Sequence, residues 1–431
     1  MDILFKNATV ITMDDSFPVL EDAFVGIKGR KIEYVGNKKP ENAAKREIDA
    51  RGKVIMPGFI NTHTHVPMTL FRGLSDDCEL DVWLREHIWP AEDKLTADSV
   101  RAGTELAVAE MLASGTTSFS DSYFFVDAIA DVAISSGIRA NLSRSIVGDG
   151  ENFDAMPSVA EARELFSRIH MADGGRLRAD ASIHAEYTSE TKCRMRVAEI
   201  ARENGQILQI HTSESQSEHE SCIKKYGRTP TEQFLAEGLF EGTHPLLAHC
   251  CYITENDMEI IKSAGGSVAH CPVSNLKLAS GVAPVTVMLQ KGVNVGLATD
   301  GVASNNSTDM FEELKLAAIL HKGIRKNPTA VDAYTALRMA TVNGALAQGR
   351  NDCGIIKKGY EADLIMLDFD RPHLIPCHNV VSNAVYAARG SDVVMTVVAG
   401  KILYENGVFT TIDIERAKAS VKPRGVEHLK A

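Results

Sequence analysis

Two histidines separated by one residue close the run Pro57-Gly58-Phe59-Ile60-Asn61-Thr62-His63-Thr64-His65. On a strand, residues i and i+2 point to the same side, so His63 and His65 present two imidazoles together. Neutral imidazole is the commonest biological zinc ligand. Taken alone the pair fits two hydrogen-bonded histidines just as well, and the rest of the chain has to decide. Further titratable groups end other apolar runs: Asp121, Arg144, His184, His211 in Ile210-His211-Thr212-Ser213-Glu214, His249 in Ala248-His249-Cys250, and Asp300 in Ala298-Thr299-Asp300-Gly301. Each has a plain alternative, since a strand-end histidine is more often a hydrogen-bonded core residue and an Asp before Gly a turn former. Together, His63, His65, His211 and Asp300 supply three imidazoles and one carboxylate, a set suited to Zn2+ or Fe2+ with one position left for water. A divalent metal lowers the pKa of bound water to about 7. Asp300 can then accept a proton from that water, and His249 can hydrogen-bond the attacking oxygen. Glu214, three residues past His211, is the natural proton carrier, although spacing alone fits a solvated loop carboxylate equally well.

These groups meet only if the strands carrying them converge. From 53 to 301 the chain repeats a short β-rich run ending in polar residues, then a helical stretch, then a glycine-marked turn. The eight runs are 54–65, 116–123, 138–146, 177–187, 206–214, 245–253, 267–275 and 293–300. Between the first two, Thr96 is a candidate N-cap with Asp98 in the first turn. Val100, Ala107 and Met111 share one face there, and Gly115 marks the end. Strand, helix, strand implies parallel pairing. Eight units predict an α/β fold, a closed TIM-like (β/α)8 barrel with its chemistry at the strand C-terminal ends.

Outside that span, strands alternate: 3–13, the hairpin-like 24–36 turning at Lys28-Gly29-Arg30-Lys31, 362–368 and 393–404. Neither terminal piece buries enough apolar area alone. The expectation is therefore a small β-sandwich built jointly from 1–56 and 355–431, beside a catalytic barrel at 57–354. The residues from 412 onward read as a peripheral helix or tail.

Composition narrows the classes. The chain has 431 residues, 44% hydrophobic and 24% charged, enough for one large core and a smaller one. A net charge of -11 argues against nucleic acid and anionic membrane surfaces as partners. No secretion signal and no apolar run of membrane-spanning length is read from the sequence, so the expected location is the cytoplasm. Of eight cysteines only Cys250 and Cys251 are neighbours, and adjacent residues make no CxxC motif; buried reduced thiols are expected. Barrels of this size often associate, so a homo-oligomer is compatible with the sequence.

The segments PGFINTHTH, IHTSES, AHC and TDGVASNNSTDMFEELKLAAILHK resemble the amidohydrolase superfamily, mononuclear branch, across essentially the whole chain. Within it, MTLFRGLSDDCELDVWLREHIWPAE is similar to the 5-methylthioadenosine/S-adenosylhomocysteine deaminases. The resemblance implies one divalent metal, zinc or iron, on His63, His65, His211 and Asp300, with Glu214 and His249 completing catalysis. It also implies that Trp83 lines a nucleoside pocket, Glu92 accepts the ribose hydroxyls, His184 contacts substrate, and Arg144 reaches the substituent on the 5′ carbon. Without it, Trp83 with Leu84, Ile88 and Trp89 reads as core packing at near-helical spacing, and Glu92 and Arg144 as surface charges. A second arginine found in some of these deaminases has no counterpart in 148–157. Binuclear relatives bridge two metals with a modified lysine at the end of strand four, and 179–186 contains no lysine. His184-Ala185-Glu186 matches half of another deaminase signature, whose later Pro-Cys-X-X-Cys is missing. The implied reaction is hydrolysis at C6 of an adenine nucleoside, giving ammonia and an inosine. The alternatives are a guanine, pterin or triazine hydrolase on the same scaffold, or a catalytically inactive binding protein.

Overall fold

The computed structural model describes residues 1–422. The N-terminal segment contributes β1 (Ile3–Ile11), β2 (Val19–Lys28), β3 (Lys31–Gly36), β4 (Arg46–Asp49) and β5 (Lys53–Pro57). Eight parallel strands follow: β6 (Phe59–Thr64), β7 (Thr116–Tyr123), β8 (Arg139–Ile146), β9 (Leu177–Ile183), β10 (Ile207–Thr212), β11 (His244–His249), β12 (Ser267–His270) and β13 (Asn294–Leu297). The chain then returns through β14 (Leu364–Asp368), β15 (Val393–Val398), β16 (Lys401–Glu405) and β17 (Val408–Phe409).

The first and last groups form one nine-stranded mixed sheet in which β14 pairs antiparallel with β5, and β1 joins β5 to β2. Backbone bonds from Ile32 to Tyr360, Ala362 to Arg30 and Gly400 to Ala362 fold that sheet back on itself. Phe5, Val25, Ile55, Leu364 and Val397 share its core, so both termini are needed to bury it, as expected from their separate weakness. Arg139 at the start of β8 donates to Asp363 and Glu361 at 2.6 and 2.8 Å, tying the barrel to this sheet through a buried ion pair.

The run 54–65 is two strands rather than one. Gly58 is the switch: its N–H bonds Asp363 O in the terminal sheet, while the next N–H, of Phe59, bonds Gly115 O beside the barrel. A Cβ at position 58 would lie 2.1 Å from the Thr117 side chain, so only glycine fits the crossing. Both halves are buried, which leaves no change in hydrophobic pattern to mark the break. Two later runs also end sooner than their apolar content suggests: 267–275 is β12 followed by a helix begun at Pro272, and 293–300 leaves β13 at Leu297.

Around the barrel lie α1 (Ala97–Ala113), α2 (Pro157–Ile169), α3 (Gln216–Tyr226), α4 (Pro272–Lys277), α5 (Val302–Asn305), α6 (Met310–Arg325) and α7 (Val342–Ala347), among others. Thr96 and Ser99 cap α1 reciprocally, Val100, Ala107 and Met111 are fully buried, and Gly115 follows with φ +92°. A peripheral helix, α8 (Ile414–Ser420), lies where one was expected; residues 423–431 of the same expectation fall outside the described residues.

The ladder runs without interruption from β6 to β13 but is open between those two strands. Side chains and one backbone bond complete the circle: Thr62 Oγ1 donates to Leu297 O at 2.9 Å, Asn61 Nδ2 to Thr299 Oγ1 at 2.7 Å, and Asp300 N to His63 O at 3.0 Å. No helix among the described residues is long and apolar enough to cross a membrane. Cys250 and Cys251 are buried free thiols.

Candidate active site

The ends of β6 and β10 bring His63, His65 and His211 together, with ring centroids 4.8 to 5.3 Å apart. His65 Nδ1 lies 2.7 Å from Ser122 O, and His211 Nδ1 lies 2.7 Å from His184 O. A carbonyl oxygen can only accept, so both Nδ1 atoms carry the proton and both Nε2 atoms present lone pairs. Those two Nε2 atoms are 3.2 Å apart. Two lone pairs held so close repel one another unless an electron-poor centre is shared between them, and this is how backbone partners orient imidazole ligands. His63 Nε2 is buried without a hydrogen-bond partner. Asp300 Oδ1 stands 3.5 Å from it and 3.4 Å from His65 Nε2. Burial holds His63 down to about 4 and His211 well below its ordinary value, so these two imidazoles stay neutral, the form that ligates. Three nitrogens and one carboxylate oxygen fit a divalent metal.

Asp300 is positioned by its neighbours. Its Oδ2 accepts from Ser274 Oγ at 2.6 Å and Ser304 Oγ at 2.9 Å, which places α4 and α5 behind it. Burial pushes its pKa up, yet the His63 contact and the charge of His249 hold it well below the usual carboxylate range. The backbone is left-handed at Asp300 (φ +64°) and His249 (φ +71°). Such strain persists only where surrounding contacts over-determine it.

Glu214 follows β10 on a turn clamped by Glu218, whose carboxylate accepts from Ser213 N at 2.9 Å and Glu214 N at 2.7 Å. Its Oε2 lies 3.9 Å from His249 Nε2, and its Oε1 accepts from Ser280 Oγ at 3.2 Å. Burial raises the Glu214 pKa, which favours a protonated acid. Burial would lower His249, but Glu214 and Asp300 lift it above the ordinary histidine value; Asn275 Oδ1 receives its Nδ1 at 2.9 Å.

A cavity of about 650 Å³ opens over these groups. Trp83, Glu92, Arg144 and His184 all line it, beside His65, His211, Glu214, His249 and Asp300. Trp83 belongs to a helical insert whose Trp83–Ile88 turn is π-helical. It is 5% exposed and donates to Ser75 O at 3.1 Å, so it packs in the core and faces the cavity at once. Glu92 is no surface charge: burial lifts it to about 7, against the pull of a 2.7 Å bond from Tyr123. His184 Nδ1 is buried without a partner, and its ring centroid is 4.8 Å from that of His211. Arg144 bonds Glu161 Oε2 at 2.5 Å and Ser145 O at 2.6 Å. Asp121 stands aside from the cluster and accepts from Val66 N at 2.7 Å, holding the turn after His65.

Sequence reasoning missed Ser274, Asn275, Ser304, Glu218 and Glu161. All act through side chains that meet across helices and loops, where no periodicity points to them. Only Ser274 and Asn275 carried a hint, lying just past a strand end as Glu214 does.

The chain belongs to the amidohydrolase family, whose model matches residues 54–403. Within that family it is 44% identical over 415 residues to a 5'-deoxyadenosine deaminase of Methanosarcina mazei, covering 96% of this chain and 95% of that one. It is 42% identical over 426 residues to a 5-methylthioadenosine/S-adenosylhomocysteine deaminase of Acetivibrio thermocellus, covering 98% of each. A crystal structure of a Xanthomonas campestris adenosine deaminase with bound zinc superposes with a TM-score of 0.93 at 34% identity, covering 99% of this chain and 98% of that one.

Proposed function

We propose that this chain deaminates adenine nucleosides hydrolytically at C6, acting on 5'-deoxyadenosine, 5-methylthioadenosine, S-adenosylhomocysteine or adenosine. His63, His65, His211 and Asp300 hold one divalent metal, with zinc the first choice and iron the second. The zinc in the Xanthomonas deaminase and the lone-pair contact between His65 and His211 support that choice. When bound, the ion supplies Lewis acidity and a water that ionises near neutral pH.

The remaining work falls to the chain's own groups. With the ion in place Asp300 would accept the proton of the attacking water through Oδ1, its other oxygen being held by Ser274 and Ser304. Glu214, whose pKa burial raises, delivers its proton to the adenine ring nitrogen as C6 becomes tetrahedral. The proton taken up by Asp300 then passes to the 6-amino group, the C6–N bond breaks to release ammonia, and the hydroxyl proton on C6 returns to Glu214 as the carbonyl forms. His249 Nε2, within 3.9 Å of Glu214, donates to the oxygen on which charge develops. Glu92 accepts the ribose hydroxyls, Trp83 walls the base, and His184 contacts the purine from β9.

One observation carries the reading: the imidazoles of His65 and His211 and a buried Glu214–His249 pair open into the same cavity as Glu92. Ammonia release and ultraviolet spectra over a panel of adenosine, 5'-deoxyadenosine, methylthioadenosine, S-adenosylhomocysteine and guanine test it, using zinc-loaded protein. Turnover of the 6-aminopurine nucleosides is expected. A panel in which guanine alone reacts, or nothing does, defeats the proposal.

A further inference from the structure

The Arg144–Glu161 pair alters what Arg144 can offer a substrate. This inference rests on the nucleoside reading above, with the base at the histidines and the ribose at Glu92. Arg144 is the register partner of Tyr123 across β7 and β8, and Tyr123 holds Glu92, so the arginine stands one strand beyond the ribose position. Its guanidinium is already engaged by Glu161 Oε2, by Ser145 O and by the face of Phe124, whose centroid lies 5.0 Å away. Glu161 comes from α2 and lines the same cavity. Beside Phe124, the apolar side chains of Phe125, Val147 and Trp89 line the same cavity.

We propose that Glu161 is a specificity-determining residue that sets the 5′ subsite for short, uncharged substituents. Its carboxylate neutralises Arg144 and adds a negative charge of its own. A nucleoside tail ending in a carboxylate must displace that pair or lie beside a like charge, and either route costs affinity. A methyl or methylthio group instead buries apolar surface against the aromatic wall.

The chain contains two tryptophans, Trp83 and Trp89, and both line the cavity, so intrinsic fluorescence reads binding independently of turnover. Dissociation constants and kcat/KM are measured for 5'-deoxyadenosine, 5-methylthioadenosine and S-adenosylhomocysteine on wild type, Glu161→Gln and the double variant Glu161→Gln with Arg144→Gln. The unaltered protein is expected to favour the two uncharged nucleosides. Glu161→Gln should raise the ratio for S-adenosylhomocysteine over 5'-deoxyadenosine on the order of tenfold in both readouts, and the double variant should lose that gain. An unchanged ratio overturns the proposal. So does a fall, which would mean that Glu161 grips the ammonium of the homocysteine tail. If the binding ratio shifts but no nucleoside yields ammonia, the deaminase reading fails while the subsite stands; if no adenine nucleoside binds, both fail.

Discussion

The Tyr123 phenol, at the end of β7, donates to Glu92 Oε1 at 2.7 Å and so joins a barrel strand to the helical insert that walls the cavity. Burial still dominates that carboxyl and lifts it to about 7. Nucleoside binding that uses the Glu92 carboxylate as acceptor should therefore tighten as pH rises through 7. Stability should run the other way. Between the ordinary glutamate value near 4.5 and about 7, the folded protein keeps a proton that the unfolded chain has lost, so folding weakens across that window. Glu92→Gln should flatten both trends, and Tyr123→Phe should move the binding midpoint higher by removing a bond that favours the carboxylate. Fluorescence titrations and urea midpoints at pH 5, 6 and 8 check this.

Glu214→Gln keeps the shape of the residue and removes the proton carrier. kcat should fall by about 10²–10⁴-fold with metal content unchanged. Full activity in this variant would reject the assigned role.

Stripping the metal with a chelator should abolish ammonia release and lower the melting temperature, and zinc should restore both. A ligand present at a hundred times its Kd adds about 2.7 kcal/mol to stability. His211→Ala should fail to retain zinc by elemental analysis. A melting temperature that ignores the chelator contradicts the ligand assignment.

Asn275→Ala removes the acceptor of His249 Nδ1. Metal should stay bound while kcat drops by roughly 10–100-fold, the usual cost of losing a partner that orients an imidazole. An equal loss of metal would show that Asn275 supports the whole loop rather than His249.

Gly58→Ala should destabilise the protein by about 1–3 kcal/mol, because the added methyl overlaps Thr117. Denaturant unfolding of the two proteins gives the difference directly.

The barrel was legible because β6 to β13 each pair an apolar run with a polar end, and because Thr96 and Gly115 carry local capping chemistry. The candidate ligands could be picked out for the same reason, since strand ends converge whatever lies between them. The switch at Gly58 was hidden: β5 and β6 are buried alike, and only the change of hydrogen-bond partner from Asp363 to Gly115 separates them. The supports were hidden for another reason. Ser304 and Asp300 are near in sequence, but Asn275 and His249, Glu161 and Arg144, or Tyr123 and Glu92 are 17 to 31 positions apart, and a single chain gives no signal for such meetings.

The circle of strands lacks a ladder between β6 and β13, and it is there that His63 and Asp300 face each other. A cation bound by both would act as a clasp across the weakest join of the wall. Breathing of that join in the metal-free protein would spread the same atoms that catalysis needs together, so one ion would guard architecture and reactivity at a single point.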